Sequence, residues 1–195
     1  VSTRSLARGS ARGSARARTL DGSHRLWETD AVVLHDPDAS VARASTHPVN
    51  AYRLDDRYLG DDGVVFMSGA QALARLPFEQ LRIDRAAGLR TAAFVTGYPG
   101  SPLAGYDRDA DTVAALATAA GHHLVHRPAL NEELAATAVM GSQLSVTLDS
   151  SRYDGVVGVW YGKTPGLDRA GDALRHALFA GTSHLGGAVA LVGED

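Results

Sequence analysis

From about Tyr58 onward, short apolar runs alternate with longer segments that are apolar on one side only. The run RTAAFVTG (90–97) predicts a buried strand, HHLVHR (122–127) a second, GVVGVWYG (155–162) a strongly β-prone third and GGAVALVGED (186–195) a last. Between them lie helical patterns at 70–88, 106–121, from 131 onward and at 168–181. The first of these, AQALARLPFEQLRIDRAAG, places Leu73, Leu76, Leu81 and Ile83 among its apolar positions, and Pro77 predicts a kink or break within it. The second ends at Gly121, and Asp168 is the expected cap of the last. The short run VVFMSG (64–69) reads as a strand or a turn. Strands alternating with helices of about 12 to 16 residues require right-handed crossovers between parallel neighbours. The predicted architecture is therefore a doubly wound, mostly parallel α/β sheet with helices on both faces, and ligands belong in the loops that follow the carboxyl ends of its strands.

The first 50 residues break this pattern. STRSLARGSARGSARAR holds five arginines before residue 20 and no acid, a repetition that cannot build a core, so disorder is expected. HDPDAS and THPVN are turn signals, and residues 1–57 read as an irregular extension, with 58–195 as the folded domain. Arg-rich, Ser-rich and acid-poor also describes a nucleic-acid arm or a transit peptide, but a non-functional extension is the favoured reading. Charge supports that choice. Residues 1–50 carry seven arginines and five acids, so the remaining 12 basic and 17 acidic residues give the folded part a net charge of −5. Nothing in that balance points to nucleic acid, and no apolar stretch is long enough to span a bilayer. The chain has no cysteine, which excludes disulfides, thiolate zinc sites and cluster ligation by these residues.

Three segments that follow strands carry unusual residues. In TGYPGSPLAGY (96–106), glycines at 97, 100 and 105 and prolines at 99 and 102 make a rigid turn of close approach, with Ser101 offering a hydroxyl. It is neither a Walker loop nor a nucleophile elbow. In NEELAATAVMGSQ, Asn131 caps and Glu132 and Glu133 suit the helix dipole. The positions three, four, seven and eight after each glutamate are small and apolar apart from Thr137, so the helix is expected to be buried nearly all round. A carboxylate at its start is then partly desolvated, which raises its pKa unless a donor compensates, and such a group suits sharing a proton with a heterocyclic nitrogen. The loop WYGKTPGLDRAGD (160–172) holds Lys163, the single lysine of the chain. The histidines His122, His123 and His126 lie along one strand, where side chains do not converge on a metal.

Taken in order, GYPGSPLAGYD, NEELAATAVMGSQ, YDGVVGVWYGKTPGLDRAGDALRHALFAGTS and GGAVALVGED resemble the indolepyruvate ferredoxin oxidoreductases, in the long fused form of that thiamine diphosphate-dependent 2-oxoacid:ferredoxin oxidoreductase family. The resemblance covers roughly residues 58–195 and implies the pyrimidine-binding domain of a thiamine diphosphate fold. It implies that Glu132 hydrogen-bonds N1′ of the aminopyrimidine, favouring the tautomer whose 4′-nitrogen takes the proton from thiazolium C2. The cofactor then attacks the keto carbon of a 2-oxoacid and CO₂ leaves. Tyr98, Pro99, Gly100 and Ser101 match the family's Tyr-Pro-x-Thr/Ser-Pro turn near cofactor and substrate, and Glu133 is expected to support or merely to be structural. The family further implies Mg²⁺ and iron–sulfur clusters held by domains outside this chain, coenzyme A and ferredoxin as reaction partners, a homo-oligomer and a cytoplasmic location.

Departures are as informative. Cluster cysteines and the Gly-Asp-Gly…Asn metal loop of the family do not occur in these 195 residues. The expectation is a segment of a longer enzyme, truncated after its last strand, that binds thiamine diphosphate poorly and does not turn over alone. Two other readings remain: a non-catalytic domain of the same fold, against which the intact Glu132 and YPGSP argue, and a nucleic-acid-binding module driven by the Arg-rich tail. The choice among indolepyruvate, phenylpyruvate and branched-chain 2-oxoacids is left open.

Overall fold

The computed structural model describes residues 52–100, 103, 105–148 and 150–194. The Arg-rich extension lies outside them, and so do Ser101 and Pro102. The described elements are α1 (Asp56–Leu59), α2 (Gly69–Ala86), β1 (Thr91–Gly97), α3 (Tyr106–Ala119), β2 (Leu124–His126), α4 (Glu132–Leu144), β3 (Gly155–Lys163), α5 (Thr164–Arg169), α6 (Gly171–Ala180) and β4 (Gly187–Gly193), with a 3-10 turn at Ser145–Thr147. The strands form one four-stranded, all-parallel sheet in the order β2-β1-β3-β4. The short helix α1 crosses the boundary that sequence places at 57/58.

Alternation along the strands builds two layers of core. Ala93 and Val95 of β1, with Val159 and Tyr161 of β3, face one side and pack against Phe78 and Leu81 of α2 and Val113 and Ala117 of α3. Phe94 and Trp160, one residue out of phase, face the other side and pack against Ala135, Ala136 and Val139 of α4. Helices thus cover both faces, as the alternating pattern predicts. Each fully buried large side chain contributes roughly 1.5–3 kcal/mol through the surface it removes from water. The chain leaves β1 through α3 on one face and leaves β2 through α4 on the other. Between β1 and β3 lies the crevice that such a reversal opens at the carboxyl ends.

Several local expectations change. Helix α2 runs unbroken through Pro77, whose ring is buried in the core, so packing offsets the missing backbone hydrogen bond. Its start is fixed by a capping box: Ser68 Oγ accepts from Gln71 N, while the Gln71 side chain accepts from Ser68 N. The preceding VVFM is neither strand nor turn but an irregular connection that exposes Val64 and Phe66 and half-buries Val65 and Met67. The segment read as a loop before residue 168 is helix α5, and Asp168 lies inside it. Helix α6 starts instead after Ala170, whose own side chain makes no cap, and the α5–α6 junction is a helix corner with no polar signal. Helix α4 is buried on one side only: Glu132, Ala135, Ala136, Val139 and Gln143 are inside, while Glu133, Leu134, Thr137, Ala138, Gly141 and Leu144 are exposed. Among the described residues no helix is long and apolar enough to cross a membrane.

Candidate functional site

Three strand ends deliver side chains to one hollow. Its volume is about 370 Å³, and it is lined by Tyr98 after β1, Leu130, Asn131 and Glu132 after β2, and Lys163, Pro165, Gly166 and Arg169 from the end of β3 and α5. The β2–α4 connection is drawn toward β1 by backbone bonds from Arg127 N to Val95 O (2.9 Å) and from Ala129 N to Gly97 O (2.8 Å). Asn131 then caps α4, its Oδ1 accepting from Leu134 N at 2.8 Å.

Glu132 is only 8% exposed. Two neighbours fix it. The buried indole of Trp160 donates its Nε1–H to the backbone carbonyl of Glu132 at 3.1 Å. Gly166 lies so close that a Cβ there would stand 2.7 Å from Glu132 Cγ and 2.8 Å from Oε1. Glycine at 166 is therefore a requirement of this side chain's placement. Arg169 Nε stands 4.0 Å from Glu132 Oε2 and 3.9 Å from Glu133 Oε2, and its side chain is more than half exposed. A guanidinium divided between two carboxylates at that range, in water, contributes at most about 1 kcal/mol. It balances the charge of Glu132 without holding the carboxyl in a tight bond.

The structure brings Tyr98 and Glu132 of the predicted residues together in the hollow. Pro99 is exposed and does not line it. Gly100, at φ +90°, borders a separate narrow space with Leu103, Tyr106, Asp107 and Tyr161. Ser101 lies outside the described residues. Glu133 points outward, toward Arg169. Arg169, Gly166 and Pro165 line the hollow; the resemblance implies that their loop lies near the active-site mouth or a domain interface, without giving them individual roles. The available signal was the Gly-Lys-Thr-Pro-Gly string directly after a strand. The three histidines have separate surroundings. His122 meets Phe78 edge-on, His123 stacks on Tyr153 and His126 contacts Asp111 and Tyr161. Burial, followed by Arg85 and Arg82, lowers the pKa of His122.

Comparison with family models, with curated proteins and with solved structures finds no match.

Proposed function

We propose that residues 58–195 are the pyrimidine-binding portion of a thiamine diphosphate-dependent 2-oxoacid:ferredoxin oxidoreductase that acts on an aryl 2-oxoacid and yields an acyl-CoA. The observation that carries this reading is the buried Glu132 carboxyl in a hollow at the switch point of a parallel sheet, cradled by Gly166 and loosely balanced by Arg169. The sequence resemblance supplies the chemistry, and the residues present fit the group. Glu132 is the partner for N1′ of the aminopyrimidine, Tyr98 flanks it, and the absence of a Cβ at Gly166 leaves room for the carboxyl to turn. When bound, the cofactor supplies the nucleophilic carbon and accepts the electron pair released on decarboxylation. Glu132 holds or shares the proton at the pyrimidine nitrogen, which sets the basicity of the opposite amino group. Mg²⁺, the iron–sulfur clusters and the coenzyme A and ferredoxin sites belong, on this reading, to further polypeptide in a cytoplasmic homo-oligomer.

Two measurements test it. In the 195-residue chain, titration with thiamine diphosphate at high concentration should give weak binding that shifts the amide resonances of Tyr98, Glu132 and Lys163 ahead of those in α2. In a complete enzyme carrying this segment, Glu132→Gln should lower turnover by about 10²–10⁴-fold, the range expected when a proton-transfer partner is removed. Near-normal turnover in that variant, with correct folding, would sink the assignment.

A further inference from the structure

Strands β2 and β3 both pair with β1 and not with each other. Even so, one side-chain bond joins them. His126, the last residue of β2, places Nε2 3.0 Å from the hydroxyl oxygen of Tyr161 on β3. The bond passes over β1 at Gly97, which is in register with Tyr161. A Cβ at Gly97 would run into the Tyr161 backbone carbonyl oxygen and lie 2.5 Å from its ring, so glycine there serves both the β1–β3 pairing and the crossing phenol. The other imidazole nitrogen, Nδ1, is 2.6 Å from Oδ1 of Asp111 on α3. The His126 side chain is wholly buried and Tyr161 is 1% exposed, whereas Asp111 is open to solvent.

The chemistry orients every member. The Asp111 carboxylate accepts from Nδ1–H, which leaves the Nε2 lone pair to accept from the Tyr161 hydroxyl. Burial, then Asp107 and Asp111, push the phenol pKa up, so Tyr161 keeps the proton it donates.

Position gives this chain of bonds its consequence. Five residues after His126 the backbone reaches Asn131, then Glu132. Two residues after Tyr161 it reaches Lys163. Both segments line the candidate pocket. We propose that Asp111, His126 and Tyr161 are positioning residues: a clamp across the central strand, permitted by Gly97, that fixes the ends of β2 and β3 relative to each other and so sets the separation of Glu132 and Lys163. The geometric proposal stands on the bonds above; its importance for ligand binding rests on the reading of the pocket given under Proposed function.

Tyr161→Phe removes the hydroxyl and keeps the ring, so the core stays filled. In the full 195-residue chain the wild type should show the ¹⁵N imidazole signature of a protonated Nδ1 and an unprotonated, hydrogen-bonded Nε2 at His126. Tyr161→Phe should shift Nε2 alone. In that variant, amide exchange at residues 97–100, 129–132 and 163 should quicken by about threefold to tenfold, while amides in the middle of α2 stay unchanged. Exchange that quickens uniformly would make the pair an ordinary core contact and overturn the proposal, as would exchange that is unchanged at the three strand ends. Thiamine diphosphate affinity separates the two readings. In a complete enzyme carrying this segment, a wild type that shows no binding tells against the pocket assignment and leaves the clamp to be judged by exchange. Binding that is lost in Glu132→Gln yet equal in Tyr161→Phe and wild type upholds the pocket and removes the clamp's role in it.

Discussion

A single missing carbon decides much at this site. Gly166→Ala would press a methyl group into the Glu132 side chain, which can yield only by turning its carboxyl out of place. The expected result is a small loss of thermal stability with a larger loss of thiamine diphosphate affinity, measured on the same preparation. A separate residue controls the response to acid. His122 has its pKa lowered from the ordinary 6.5, chiefly by burial. The unfolded chain therefore takes up a proton near pH 6.5 that the folded chain refuses. Stability is fully present above pH 6.5 and declines as pH falls toward the depressed folded value. Urea midpoints at pH 7.5 and 5.5 should drop further for wild type than for His122→Asn. Tyr58 acts at the other extreme. Its hydroxyl donates to Asp109 Oδ1 at 2.9 Å, and burial together with that carboxylate raises its pKa to about 12. Its contribution should fade as pH climbs above 10, and a spectrophotometric titration should find one phenol ionising near 12. Glu132 was legible in the sequence because an acidic pair ahead of an apolar run is a local signal. The His126–Tyr161 bond was not, since it depends on the register of two strands that are 35 residues apart and separated by a third.

At the scale of elements, local chemistry fixes helix starts better than helix faces. Asn131→Ala should cost about 1 kcal/mol by freeing the Leu134 N–H, and Ser68→Ala a similar amount at α2, both readable from urea unfolding. The Asn131 cap was read from residue type, whereas Ser68 fell in a run read as a strand or a turn. The sidedness of α4 was harder to read. Its inner stripe, Glu132, Ala135, Ala136, Val139 and Gln143, keeps helical spacing, but the outer face mixes Leu134, Ala138 and Gly141 with Glu133 and Thr137. With apolar and polar residues on both faces, a periodic pattern cannot say which one the sheet covers. Pro77 misled for the opposite reason. Its local penalty is real, yet a fully buried ring recovers it through packing, which no reading of propensity includes. The α5–α6 corner falls between Arg169 and Gly171 without a polar cap, so the sequence reads as a loop followed by one helix from Asp168 in place of two short helices.

For the whole molecule, alternation of strands and helices made the parallel α/β class legible, and with it the expectation that ligands sit at the carboxyl ends. The order β2-β1-β3-β4 was not, because a right-handed crossover can add its strand on either side of the starting one. Close approach of backbones holds the order in place. A Cβ at Gly155 would run into the Leu185 carbonyl, so Gly155→Ala should destabilise by about 1–3 kcal/mol and loosen β4 first, seen as faster exchange along 187–193. Among the described residues β4 has no neighbour on its outer side, and its seven residues, GAVALVG, carry no charge. Long uncharged edges invite pairing between chains. Sedimentation of the 195-residue chain should therefore show association that rises with concentration, and Val189→Lys should reduce it; a monomer at all concentrations would mean that this edge is covered in solution.

The bond between Trp160 and the Glu132 carbonyl has an optical consequence. The chain contains two tryptophans, Trp27 and Trp160. Replacing Trp27 by Phe leaves one emitter, buried, with its N–H on the first residue of α4. Its emission should sit toward the blue, and any compound that shifts the start of that helix should change its intensity, making the protein its own fluorescent gauge of the pocket.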